Sequence, residues 1–128
     1  MPIYTPKDLQ KILLDVTEPR DNILFLTQYE GVKQPWLQIV QRNEANSILG
    51  IWKPQYQSDD ERVNSFLLFQ LDILREDIEA SPDAIVLSRD AGIRKVMDFH
   101  GLVELIETRY MFVGEAKNYE VYTVIENR

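Results

Sequence analysis

Cysteine is absent from the 128 residues, which removes disulfides and thiolate chemistry but leaves the compartment open, since cysteine-free domains work on both sides of a membrane. Histidine occurs once, so neither a Cys/His nucleophile pair nor a typical zinc site can be assembled, and no metal is expected. The glycines, Gly31, Gly50, Gly92, Gly101 and Gly114, never cluster. Without a GxGxxG or P-loop pattern no loop is shaped to cradle phosphate, and no nucleotide cofactor is expected. No stretch approaches the roughly 18 to 20 apolar residues of a membrane span. The segment from Met1 to Asp8 has no basic region followed by an apolar run, so a secretory signal is not expected either.

What is there is ordinary globular composition: 45% hydrophobic and 27% charged residues, without internal repeats. Disorder, collagen and low-complexity classes are thereby set aside. The length suits one domain over residues 1–128, burying roughly two-thirds of the unfolded chain's surface. The net charge of -7 resides in the second half: through Gln57 six basic residues balance six acidic ones, and from Ser58 eight basic face fifteen acidic. Such a surface repels a nucleic-acid backbone, so no nucleic-acid partner is expected.

Thr5-Pro6-Lys7-Asp8 reads as a helix start, with Thr5 as N-cap, Pro6 at the first helical position and Asp8 near the positive end of the dipole. Leu9, Ile12, Leu13 and Val16 follow the spacing of one buried helical face, ended by Pro19. Ile23-Leu24-Phe25-Leu26, within Asn22 to Thr27, is too short for a helix between Pro19 and Gly31 and reads as a buried strand. In Gln34 to Trp52, the residues Trp36, Leu37, Ile39 and Val40 suit either a helical turn after Pro35 or a strand; Ser47 to Trp52 resembles a strand stopped by Lys53-Pro54. Ser58-Asp59-Asp60-Glu61 forms a capping box, and Val63, Phe66, Leu67, Leu71, Leu74 and Ile78 continue it as one apolar helical face. Ser81-Pro82-Asp83 breaks that helix, and the continuous run Ala84-Ile85-Val86-Leu87 has the character of a central parallel strand covered on both faces. Ala91 to Thr108 is helix-like and divisible at Gly101. Tyr110 to Glu115 and Tyr119 to Glu126, around Ala116-Lys117-Asn118, read as a hairpin. The expected fold class is α/β: a three-layer, Rossmann-like arrangement with a mainly parallel sheet, helices on both faces and a C-terminal antiparallel hairpin at one edge.

Ser88-Arg89-Asp90 follows the carboxyl end of the expected central strand, where ligands of open α/β sheets sit. There Arg89 would hold an anion and Asp90 a hydroxyl, although Ser or Asp before a helix is also how an N-cap is written. Gln28, Tyr29 and Glu30, after the first strand, would share that rim. Trp36, Trp52 and Tyr56 among several glutamines combine flat aromatic faces with amides, a mixture suited to sugar rings and equally to core packing. His100 reads as a helix-end residue beside Gly101 rather than a general base. Asp59, Asp60 and Glu61 favour a helix N-terminus; Asp72, Glu76, Asp77 and Glu79 read as a solvated face, with Arg75 and Glu79 paired at i, i+4, rather than as a cation site.

From Asn22 onward the chain resembles the soluble C-terminal domain of polytopic membrane glycosyltransferases of the GT-C type, the bacterial relatives of dolichyl-phosphate-mannose mannosyltransferases. The residues that carry the likeness are Ile23-Leu24-Phe25-Leu26, the Trp- and Pro-containing middle ending at Trp52-Lys53-Pro54, Pro82-Asp83-Ala84-Ile85-Val86, Tyr110, and Tyr119-Glu120-Val121-Tyr122. The resemblance implies a non-catalytic, extracytoplasmic accessory domain, whose partners are a membrane-embedded catalytic domain and a sugar or sugar-phosphate, as acceptor or lipid-linked donor. Two other functions remain open. One is a free-standing cytoplasmic binding or protein-interaction domain. The other is a small methyltransferase-like enzyme, because such folds also end in an antiparallel hairpin, although the glycine-rich first loop is missing.

Overall fold

The computed structural model describes residues 6–27, 37, 40–45, 61–99 and 101–125, without the side chains of 61–67 and 99. The expected strand at Ser47 to Trp52, the Thr5 cap, the Ser58 end of the capping box and His100 lie outside these residues.

Helix α1 (Lys7–Val16) starts one residue later than its sequence signals suggest. Pro6 is the N-cap, without a side-chain cap bond, and its carbonyl accepts the first helical hydrogen bond from the Gln10 N–H at 2.9 Å. Asp8 accepts from the Leu9 N–H through one oxygen and from the Lys117 N–H, at the tip of the terminal hairpin, through the other. The helix stops at Thr17, whose backbone turns extended while its N–H still reaches the Leu13 carbonyl.

Strand β1 (Asn22–Leu26) follows. A two-residue strand β2 (Asn43–Glu44) pairs with it in parallel. Asn43 and Glu44 carry none of the β-branched or aromatic character that announces a strand. Backbone bonds hold this element, from Asn43 N–H to the Asp21 carbonyl and from Ala45 N–H to the Ile23 carbonyl. Arg42 beside it clamps the end of α1, donating to the Thr17 hydroxyl at 3.0 Å and the Thr17 carbonyl at 2.7 Å.

Helix α2 (Glu61–Glu79) runs into Ser81-Pro82-Asp83 and strand β3 (Ala84–Ser88), every residue of which is buried. On α2, Asp77 is only 7% exposed, so the acidic face read as solvated is partly turned inward. Helices α3 (Ala91–Phe99) and α4 (Leu102–Arg109) are separated at Gly101, which adopts the left-handed conformation (φ 72°). Strands β4 (Tyr110–Ala116) and β5 (Tyr119–Val124) close the hairpin around Lys117 and Asn118.

The sheet order is β2-β1-β3-β5-β4. β1 is parallel to β2 and β3, whereas β5 is antiparallel to both β3 and β4. This overturns the expectation of a mainly parallel, Rossmann-like sheet, because two of the four pairings, those of β5 with β3 and with β4, are antiparallel; the hairpin does lie at one margin, with its last strand, β5, as the inner one beside β3. The reason is burial. β5 is apolar on both faces, with Val121 and Tyr122 buried on opposite sides, while β4 leaves Met111 and Phe112 exposed and has an irregular register between Phe112 and Gly114. A strand covered on both faces takes the interior, and a bulged, half-exposed one takes the edge.

Alternation along the strands divides the core in two. Ile23, Phe25, Ala84, Val86 and Val121 meet Leu9 and Leu13 of α1 on one face. Leu24, Leu26, Ile85, Leu87 and Tyr122 meet α2, α3 and α4 on the other. Leu37, from the segment between β1 and β2, is buried on the α1 side.

Candidate functional site

At the carboxyl end of β3, the residues of the Ser88-Arg89-Asp90 rim engage neighbouring groups. The Ser88 hydroxyl accepts from the Asp90 N–H at 3.1 Å. One Asp90 carboxylate oxygen accepts from the N–H groups of Gly92 and Ile93, at 2.9 and 3.1 Å. Its backbone carbonyl takes the first α3 bond, from Arg94. Asp90 is therefore the N-cap of α3, in the geometry that satisfies the otherwise orphaned donors of a helix start.

Arg89 leaves the strand with its N–H on the Asn118 carbonyl, 2.8 Å away, and its guanidinium between two carboxylates of the terminal hairpin. It pairs directly with Glu115 and reaches Glu120 at 3.6 Å. Arg94, one turn into α3, pairs with Glu120 at 2.6 Å, and the Tyr122 hydroxyl donates to the same carboxylate. Glu115 and Glu120 face each other across the β4/β5 ladder. Two like charges opposite one another are destabilising, and the two guanidiniums offset that repulsion. Burial, and then the negative charge of Glu120, push the Tyr122 hydroxyl up to about 12. The result is a charge-balanced network of two arginines and two glutamates, in which each guanidinium already has a carboxylate partner.

Gln28, Tyr29, Trp36 and Trp52 lie outside the described residues; of the expected site, Ser88, Arg89 and Asp90 are the part that the structure brings together. Among the described residues no three His, Cys, Asp or Glu side chains gather where they could hold a metal ion. Nor is any described helix long and apolar enough to cross a membrane.

An open groove of about 430 Å³ lies at the opposite end of the sheet. Val16 at the end of α1, Met111 on β4, and Val124 and Ile125 at the end of β5 form apolar walls, and Asp21 and Asp83 bring carboxylates to it. Each carboxylate is positioned by one backbone N–H: Glu18 donates to Asp21 and Asn22 donates to Asp83, both at 2.8 Å. Sequence reasoning passed over this pair. The available signal was an acidic residue shortly before each of two apolar runs, Asp21 before Ile23 and Asp83 before Ala84, since Ile23 and Ala84 are register partners in the parallel pair.

Comparison with protein-family models, with curated proteins and with solved structures returned no match.

Proposed function

We propose that this chain is a non-catalytic docking domain that presents the edge of its sheet to a partner protein. The observation that carries the reading is β4. It is the terminal strand of the sheet order, and it exposes Met111 and Phe112 by 56% and 49%. Met111 is paired with Thr123 and Phe112 with Tyr122, so the two side chains extend to opposite faces. Ile125, just beyond β5, is 49% exposed and adds to the apolar margin. Large exposed apolar groups beside a strand edge that no other described strand pairs with favour strand addition or edge docking. The mutual neutralisation of Arg89, Arg94, Glu115 and Glu120 at the other end of the strands fits a domain whose rim serves stability rather than turnover.

In its specific form the partner is the membrane-embedded part of a glycosyltransferase, a reading supported by the sequence resemblance from Asn22 onward. The test is affinity recovery from detergent-solubilised native cells with the wild-type domain and with the Met111→Glu/Phe112→Glu double variant. A polytopic glycosyltransferase recovered by the wild type and lost with the variant is the expected result. A soluble partner lost in the same way supports a free-standing interaction domain. Equal recovery by both proteins removes the β4 edge from the account. A small methyltransferase-like activity is separated by calorimetry, where millimolar S-adenosylmethionine is expected to give no heat.

A further inference from the structure

We propose that residues 40–45 form a strap across the β1 margin of the sheet, latched by Arg42, that opens as a unit while the other strands stay folded. Opening bares the outer edge of β1 at Asp21 and Ile23, a second margin that the closed domain covers with β2. The proposal goes beyond the docking reading and does not depend on it. Three observations converge on it.

The first is how little the strap buries. Gln41 and Asn43 are exposed, and Val40, Arg42, Glu44 and Ala45 are half-buried. Val40 and Ala45 reach the two cores only at their fringes, whereas Leu37, ahead of the strap, is buried on the α1 side. The strap is held instead by main-chain bonds. Asn43 and Ala45 donate to the carbonyls of Asp21 and Ile23, both at 2.9 Å, and Arg20 donates to the carbonyl of Gln41 at 2.7 Å. A segment with few buried apolar contacts opens at a free energy well below that of global unfolding.

The second is strain in the closed form. Arg20 and Gln41 both have positive φ, 75° and 60°. Arg20 follows Pro19 in a turn closed by the Asp21 N–H on the Glu18 carbonyl at 3.1 Å, and a left-handed residue after such a proline is usually glycine or asparagine. Gln41 precedes Arg42, whose N–H reaches back to the Leu37 carbonyl at 3.0 Å, the arrangement that ends a helical turn and again favours glycine. The strap grips Arg20 at both backbone groups: its N–H rests on Gln41, and its carbonyl accepts from Asn43 Nδ2 at 2.8 Å. Residues with side chains persist in this conformation only where their surroundings impose it. Release of the strap therefore relieves both positions at once.

The third is the latch that opposes this strain. Arg42 ties the strap to the end of α1, with Nε on the Thr17 hydroxyl at 3.0 Å and Nη2 on the Thr17 carbonyl at 2.7 Å. Nη1 braces the strap internally, on the Val40 carbonyl at 2.7 Å. One planar guanidinium spans all three acceptors in a geometry that an ammonium does not reproduce.

Amide exchange of the whole domain, followed by NMR across sub-denaturing urea, tests the device. In the wild type the amides of Arg20, Asn43 and Ala45 are expected to exchange through one shared opening with a shallow urea dependence, about tenfold or more faster than those of β3 and β5. Exchange of the three along the steep urea dependence of β3 and β5 makes the strap part of the global unit and overturns the proposal. Arg42→Leu keeps the apolar stem and should speed strap exchange about tenfold or more, with Arg42→Lys between it and the wild type; a change within about twofold in Arg42→Leu removes Arg42 as the latch. Arg20→Gly and Gln41→Gly read the same balance from the other side, and remain informative if Arg42→Leu does not fold. Each should slow strap exchange about threefold or more, and unchanged or faster exchange in both overturns the strain argument. None of these outcomes bears on the β4 edge, which partner recovery judges separately.

Discussion

Tyr110 and Tyr122 are the residues with the clearest solution signature. Both belong to the core face covered by α2, α3 and α4. Burial pushes each hydroxyl up to about 12, with Arg109 partly opposing the effect at Tyr110 and Glu120 reinforcing it at Tyr122. In the unfolded chain a tyrosine ionises near pH 10. Between about pH 10 and 12 the unfolded state has released protons that the folded state keeps, so stability is fully present below pH 10 and falls as pH rises through that window. Urea midpoints at pH 9 and pH 11 are expected to drop steeply for the wild type and much less for Tyr110→Phe/Tyr122→Phe; equal drops would rule out these tyrosines as the cause. Tyr110→Phe alone should cost about 0.5–1 kcal/mol at neutral pH. The Ile78 carbonyl that the hydroxyl donates to also accepts from the Ser81 N–H, so it is not left unpaired. Asp90→Ala should cost about 1 kcal/mol by removing the α3 cap, and Asp90→Asn far less, again read from urea unfolding. That cap was legible in the sequence, as an Asp immediately before a helical pattern. The partners of Arg89 and Arg94 were not, because Glu115 and Glu120 each lie 26 residues further on and only the sheet order brings them together.

At the scale of elements, two glycines are needed for different physical reasons. Gly101 has a φ of 72° and open space around an added Cβ. Gly101→Ala is therefore expected to cost about 1 kcal/mol through the backbone alone. Gly114 has no such backbone demand, but a Cβ there would sit 3.3 Å from Ile12 of α1. Gly114→Val should cost about 1–3 kcal/mol by overpacking and should lift α1 from β4. Denaturant unfolding gives both costs, and amide exchange faster in α1 than elsewhere would mark the Gly114 variant specifically. The elements that the sequence made legible are α1, β1, α2 and β3, where an apolar period ends at, or an apolar run begins after, a proline-containing break. β2 was illegible for a physical reason: its two residues pair through their backbones, with the Arg42 clamp beside them, and bury no side-chain pattern of their own. The division of the last helical stretch at Gly101 was legible because a left-handed position favours the residue without a Cβ.

For the whole molecule, the sequence pointed to α/β layering but not to the direction of the strands. Ala84-Ile85-Val86-Leu87 reads as covered on both faces, and all four residues are buried. A continuous apolar run says nothing about whether its neighbour is parallel or antiparallel, and β3 has one of each. The hairpin was recognised, yet which of its strands turns inward depends on the two-sided burial of Val121 and Tyr122, seen only against the assembled sheet. Because β5 bridges β3 and β4, a protein truncated after Ala116 should lose its cooperative urea transition altogether, whereas removal of a true margin strand would only weaken it. The same placement has a consequence for biosynthesis. A ribosome making this chain releases the keystone of the sheet after every other strand described here, so the bonding edge of β3 stays open until residues 119–124 emerge. Until then the nascent protein has to be shielded from its neighbours, and a stop codon before residue 119 would leave that exposure permanent.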